Sequence, residues 1–122
     1  MKRSIAWCVI ISFLLIFCAD TTNNKLIMGE WKGAMWLIDG NPSNLKAAET
    51  HFSFDSLGNY TFRYAGNNEA GTYKVENDML FTKPAGEKEI MVKIAKLTGD
   101  SLIFDMNRSG QSETLILTRG GQ

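Results

Sequence analysis

Cysteine and histidine are almost absent from this chain of 122 residues. Its two cysteines, Cys8 and Cys18, both stand near the N-terminus, and His51 is its one histidine. The rest of the chain cannot form a disulfide, so its stability has to come from apolar packing. Metal sites need several clustered histidine, cysteine or carboxylate ligands, and the sequence has no such cluster. We therefore expect neither a metal nor another cofactor.

The sequence also lacks an excess of charge of either sign. Its 13 basic residues balance its 13 acidic ones, and removal of residues 1–17 would leave 11 basic residues and a net charge of −2. A near-neutral domain has no basic surface to attract nucleic acid or an anionic membrane surface. We expect no nucleic-acid partner.

One long apolar run is present, and it lies at the N-terminus. Lys2 and Arg3 precede residues 5–17, which are almost entirely apolar, and Cys18 follows them. A membrane-spanning helix needs about 20 apolar residues, so this shorter run predicts a secretory signal peptide.

Cys18 predicts a bacterial lipoprotein, which is cut before the cysteine and lipidated on it. Leu15 stands at the position usual for such signals, whereas Phe17 occupies a position where a small residue is usual. Ordinary secretion and an uncleaved anchor are the alternatives. In the main interpretation, residues 1–17 are the signal peptide and residues 18–27 are the lipidated cysteine and a polar tether. The protein is then exported and anchored to a membrane of the cell envelope, on the periplasmic side or at the cell surface.

From residue 28 onward, apolar and polar residues alternate with a period of two, which is typical of half-buried β-strands. Turn-forming residues separate the alternating segments. Eight strands are predicted: Glu30–Asp39, Glu49–Asp55, Tyr60–Ala65, Glu69–Val75, Met79–Lys83, Glu87–Leu97, Ser101–Asn107 and Ser112–Arg119. Residues 41–48 do not fit the pattern, and for them we predict a lid-like loop with one helical turn capped by Ser43 or Asn44.

Short connections between these strands predict an all-β, antiparallel, up-and-down arrangement. Left open, such a sheet would expose two unpaired edges, whereas pairing of the last strand with the first closes it into a barrel. The interior of an eight-stranded barrel is either filled by side chains or holds one small ligand.

Three motifs support a family resemblance: Gly29-Glu30-Trp31 in the first strand, residues 71–80 across a predicted hairpin, and Leu117-Thr118-Arg119 in the last strand. With them, residues 28–120 resemble the short lipocalin-like domains of bacterial lipoproteins, which are calycin-type barrels. The resemblance implies that Arg119 lies across Trp31 and closes the barrel base. It also implies a small apolar or amphipathic ligand inside the barrel.

Aromatic side chains on the predicted strands are the candidate lining of a ligand cavity. The candidates are Trp36, Phe52, Phe54, Tyr60, Phe62, Tyr64, Tyr73 and Phe104. The same rings could instead fill the barrel. In that case the protein would be a structural or interaction module that binds another envelope protein.

Residues suited to catalysis are sparse. His51, Ser53 and Asp55 share one face of a predicted strand, but alternate residues of a strand lie about 6.5–7 Å apart. A nucleophile must hydrogen-bond to its base at about 3 Å. We therefore expect no enzyme, and we expect Glu69, Glu76 and Asp78 to lie at turns and on the surface.

Overall fold

The computed structural model describes residues 24–120, which form one antiparallel sheet closed on itself. The strands are β1 (Gly29–Ile38), β2 (Asn41–Pro42), β3 (Thr50–Phe54), β4 (Asn59–Tyr64), β5 (Asn67–Glu76), β6 (Met79–Pro84), β7 (Ile90–Leu97), β8 (Ser101–Arg108) and β9 (Gln111–Arg119). Strand β1 pairs with both β3 and β9, and the short β2 pairs only with the end of β1. The predicted eight-stranded up-and-down barrel is confirmed, with β2 as an addition.

Three of the predicted features at the N-terminus, namely the signal peptide of residues 1–17, Cys18 and the first part of the tether, lie outside the described residues. Residues 24–27, which the sequence assigned to the tether, form a helical turn. Ile27 is fully buried, and its carbonyl oxygen accepts a 2.8 Å hydrogen bond from Trp31 Nε1. Ile27, the last residue of the predicted polar tether, therefore packs against the barrel. Within residues 24–120 no helix has the length and apolar character needed to cross a membrane.

The barrel has two different ends. The base is the end where β1 begins and β9 ends, and it is covered by residues 24–28. The mouth is the opposite end, where the connections over residues 39–49, 65–66, 85–89 and 109–110 lie. Most differences from the predicted strand bounds occur here: β5 begins at Asn67, within the predicted turn, and β7 begins only at Ile90.

The core is the interior of this barrel, and alternation along the strands places its side chains there. The buried apolar residues are Ile27, Trp31, Trp36, Ala47, Phe54, Tyr60, Val75, Leu80, Ile94, Leu102, Phe104, Leu115 and Leu117.

A register shift in β1 decides which of its side chains face inward. The pairing of β1 with β9 shifts between Gly33 and Met35. Strict alternation from Trp31 would turn Met35 inward, but the bulge leaves Met35 exposed and buries Trp36. Trp36 therefore reaches the interior near the mouth.

The segment between β1 and β3 contains a short 3₁₀ helix, Ala47–Glu49. The prediction that Ser43 or Asn44 caps this turn is wrong, because the N-cap residue is Lys46 and it makes no side-chain capping bond. Ser43 Oγ instead donates to the Trp36 carbonyl oxygen at 2.7 Å. The helix lies so close to β1 that a Cβ atom at Gly33 would overlap the Ala47 carbonyl oxygen.

Candidate functional site

Arg119 joins three segments at the base of the barrel. Its Nη1 and Nη2 donate hydrogen bonds of 2.6 Å to the carbonyl oxygens of Met28 and Leu26, and its Nε donates one of 2.9 Å to that of Gly99. The guanidinium carbon lies 3.8 Å from the centre of the Trp31 ring, in the geometry of a cation–π contact. The structure thus places the predicted pair, Trp31 and Arg119, in direct contact at the base.

Gly29 makes this contact possible. Its φ of +111° is unfavourable for residues with a side chain, and a Cβ atom there would lie 2.9 Å from Arg119 Nη1. The glycine of the Gly29-Glu30-Trp31 motif therefore leaves space for the guanidinium.

Packed side chains fill the lower part of the barrel. The rings of Phe54 and Tyr73 meet edge to face with centroids 4.9 Å apart. The Tyr73 hydroxyl donates a 2.7 Å hydrogen bond to the Asp55 carbonyl oxygen, and burial raises the pKa of that hydroxyl. Phe54 and Tyr73, two of the predicted lining residues, therefore belong to the packed base.

The upper part of the barrel contains a cavity of about 520 Å³. Most of its wall is apolar or aromatic. The lining residues are Trp36, Phe52, Tyr60, Phe62, Glu69, Leu80, Thr82, Ile90, Met91, Val92, Phe104, Asp105, Met106, Asn107, Arg108 and Leu115. Five of the eight predicted lining residues are among them, namely Trp36, Phe52, Tyr60, Phe62 and Phe104.

Tyr64, the remaining predicted lining residue, supports the wall from beside Trp36. Their rings meet nearly edge to face with centroids 5.6 Å apart. The Tyr64 hydroxyl oxygen accepts a 3.3 Å hydrogen bond from the Lys46 backbone N–H. Tyr64 thereby connects the Trp36 side of the cavity to the segment that precedes the 3₁₀ helix.

The cavity extends to a seam between β7 and β8. Pairing of these two strands ends at Lys93 and Asp105 toward the mouth. The residues beyond that point, 90–92 on β7 and 106–108 on β8, all line the cavity. Ile90 and Met91 are 48% and 60% exposed, so apolar surface continues from the cavity to solvent at this seam.

Tyr60 and Glu69 form the main polar pair of the cavity wall. The buried Tyr60 hydroxyl donates a 2.7 Å hydrogen bond to Glu69 Oε2. Burial, followed by this hydrogen bond, raises the pKa of the Tyr60 hydroxyl, while a hydrogen bond with the Thr82 side chain acts in the opposite direction. Tyr60 therefore stays protonated and keeps its proton directed at the Glu69 carboxylate.

A second polar group lies on the other side of the mouth. Glu113 is only 7% exposed, and its Oε1 accepts a 2.9 Å hydrogen bond from Trp36 Nε1. The same oxygen lies 3.6 Å from Nη1 of Arg108, whose side chain is mostly exposed. Glu113 thus fixes the orientation of one cavity-lining ring and offsets the charge of Arg108.

The inward orientation of both carboxylates, Glu69 and Glu113, differs from what the sequence predicts or leaves open. The prediction that Glu69 lies at a turn or on the surface is wrong: Glu69 lies opposite Phe62 in the β4–β5 pairing and faces the interior. The alternation of β5 contained the signal, because Glu69 is two residues before Gly71 and four before the inward Tyr73. Glu113 likewise precedes the buried Leu115 by two residues.

One of the residues considered for catalysis, Asp55, is engaged in the turn after β3. Asp55 Oδ1 accepts backbone hydrogen bonds from Leu57 at 2.9 Å and Asn59 at 2.8 Å. The backbone hydrogen bond from Asn59 is the main reason that the pKa of Asp55 is lowered. Asp55 therefore stabilises the β3–β4 turn. Across residues 24–120, histidine, cysteine and carboxylate side chains nowhere gather in a group of three that could hold a metal ion.

Comparison with known proteins agrees with this architecture. The lipocalin-like domain family matches residues 27–104 of the chain. The fold is similar to a lipocalin-like protein from Bacteroides uniformis, with a TM-score of 0.61 and 13% identity over 77% of this chain and 98% of that one. It is also similar to an uncharacterized protein from Bacteroides eggerthii, with a TM-score of 0.60 and 14% identity over 75% of this chain and 98% of that one. No curated protein matches the chain.

Proposed function

Because this chain belongs to the lipocalin-like domain family, we propose that its barrel is a binding protein for a small apolar or amphipathic ligand. The observation that supports the proposal is the cavity of about 520 Å³ in the upper barrel. Ligand pockets are typically about 300–1,000 Å³, mostly apolar, with a few polar groups that orient the ligand. The cavity has this size and composition, and we assign the barrel a binding role rather than a catalytic one.

The division of the barrel into two parts favours ligand binding over a filled interaction module. Arg119 closes the base, and Phe54, Tyr73 and their neighbours fill the interior above it. The upper part is lined by rings that leave space between them. A purely structural barrel would gain stability from filling that space, because packing contacts are lost wherever a cavity stays empty.

We also propose that the barrel is exported and anchored through a lipid on Cys18, which the sequence of residues 1–18 supports. The chain enters the barrel through the helical turn of residues 24–27 at the base. An anchor at Cys18 would therefore connect to the closed end, and the mouth and its cavity would be free to face away from the membrane.

Filling the cavity with a side chain tests the binding proposal. Val92 lines the cavity, whereas its neighbour Lys93 is exposed on the outer face. We expect Val92→Trp to abolish saturable binding of a neutral environment-sensitive dye such as Nile red, and the matched Lys93→Trp to bind like the parent. Both variants should keep the melting temperature close to that of the parent, measured by circular dichroism.

Two results would contradict the proposal. One is the absence of saturable dye binding to the parent protein, with no small molecule retained in native mass spectrometry. The other is equal binding by Val92→Trp and the parent, which would place the dye outside the cavity. Either result would favour the alternative, a barrel that acts through protein partners in the envelope.

A further inference from the structure

We propose that the cavity selects apolar ligands carrying a primary amine, and that the Glu69 carboxylate receives the ammonium group. This inference rests on the proposed ligand-binding function and names the chemical class of the ligand. Three observations support it: the direction of the hydrogen bond at Tyr60, the absence of an ion pair at Glu69 within the described residues, and the pairing of Arg108 at the mouth.

The hydrogen bonds at Tyr60 leave acceptors facing the cavity. The single Tyr60 proton is used in the 2.7 Å bond to Glu69 Oε2, so the Tyr60 hydroxyl has no further proton to donate toward the cavity. An ionised carboxylate only accepts hydrogen bonds and has about four sites for them. Tyr60 occupies one of these sites on Glu69. A ligand group that contacts the remaining sites must therefore be a hydrogen-bond donor.

Glu69 faces mostly apolar groups across the cavity and makes no ion pair with another residue of the described part of the chain, although it also borders an outer pocket together with Arg63. It lines the cavity together with Phe62 on the paired strand and Val92 on β7. None of the ion pairs found within residues 24–120 includes Glu69. A carboxylate in partly apolar surroundings attracts a cation more strongly than one in water, because the surroundings screen the charge less.

The charge at the mouth does not favour an anionic ligand. Arg108 is the one cation among the described lining residues, and its Nη1 already lies 3.6 Å from Glu113 Oε1. Glu113 is nearly buried and held by Trp36, so it stays beside Arg108. The wall also includes Asp105. A ligand carboxylate would therefore meet a paired arginine and an unneutralised Glu69.

Three probes of ten carbon atoms each, which differ in the polar head group, separate the amine preference from general apolar binding. Decylamine, decanol and decanoate are titrated calorimetrically into the purified full-length protein. We expect decylamine to bind about tenfold or more tightly than decanoate, with decanol between them, since a charge-assisted hydrogen bond is worth at least about that factor.

Variants at Glu69 assign the preference to this carboxylate. Glu69→Gln keeps the shape of the side chain and should reduce the decylamine-to-decanol affinity ratio about tenfold, whereas Glu69→Asp should retain part of the preference. Glu76→Gln is the control, because Glu76 lies on the same strand at the base with its side chain exposed. It should leave all three affinities unchanged.

The outcomes distinguish this inference from the binding proposal. Equal binding of the three probes, tighter binding of decanoate, or an unchanged affinity ratio in Glu69→Gln would overturn the amine preference and leave the cavity as an apolar site. Failure of all three probes to bind would overturn the binding proposal and this inference together.

Discussion

Replacing Arg119 with alanine should destabilise the barrel more than any change at an exposed arginine. The guanidinium makes three hydrogen bonds to carbonyl oxygens, with the donors 2.6, 2.6 and 2.9 Å away, and it covers the Trp31 ring. Arg119→Ala removes these contacts and separates the helical turn of residues 24–27 from β9. The carbonyls of Leu26 and Met28 then lose their partner at a partly buried site.

The expected loss follows from these contacts. A hydrogen bond to a charged group contributes about 1.5–3 kcal/mol, and a cation–π contact contributes about 0.5–2 kcal/mol. Water can reach part of the base after the truncation, which reduces the sum. We expect the free energy of unfolding to fall by about 3–4 kcal/mol, and the melting temperature to fall by more than about 12 °C for a domain of this size. Arg119→Lys keeps the charge but cannot reach all three carbonyls, so its loss should be about half as large.

Urea unfolding followed by tryptophan fluorescence measures this loss directly. The matched control is Arg63→Ala, because Arg63 is exposed on the outer face of β4 and should change stability by less than about 0.5 kcal/mol. If Arg119→Ala were as stable as Arg63→Ala, the idea that Arg119 closes the base would be refuted.

Three further changes test other parts of the account. Gly33→Ala should lower the melting temperature, because its Cβ would overlap the Ala47 carbonyl oxygen and force the 3₁₀ helix away from β1; an unchanged melting temperature would contradict that close approach. Thr50→Val should stabilise the fold by about 1 kcal/mol in urea unfolding, since the fully buried Thr50 hydroxyl has no hydrogen-bond partner within the described residues, and a loss of stability would show that it has one. Cys18→Ser should shift the protein from the membrane to the soluble fraction of cells, whereas Cys8→Ser should not; membrane retention of the Cys18 variant would exclude the lipid anchor.

The barrel could be predicted from the sequence because its signals are local. Alternation and turn residues identified eight strands, and the first and last of them pair as expected. Asn67 and Asn68 were assigned to a turn from their composition, but they pair with Tyr64 and Arg63. The tighter turn at Ala65, which has a positive φ of 49°, makes that pairing possible.

Which side chains line the cavity depends largely on pairing between strands, and the sequence of one strand does not show this pairing. Phe52 and Phe54 share a face and stack at 5.7 Å, yet only Phe52 reaches the cavity. Their different roles follow from their height along the barrel, which is set by pairing between strands. Trp36 faces inward because of a bulge, and the position of that bulge does not follow from residue type. Glu69 faces inward by the alternation of its own strand, although residue type alone predicts an exposed carboxylate.

The most direct test of ligand binding is to map the site with backbone NMR during a titration with decanol, a neutral ligand. We predict saturable chemical-shift changes for cavity residues such as Val92, Phe104 and Met106, with little change at Trp31 and Leu117 in the base. A titration that leaves the cavity residues unchanged, or that moves only residues on the outer face, would contradict the account.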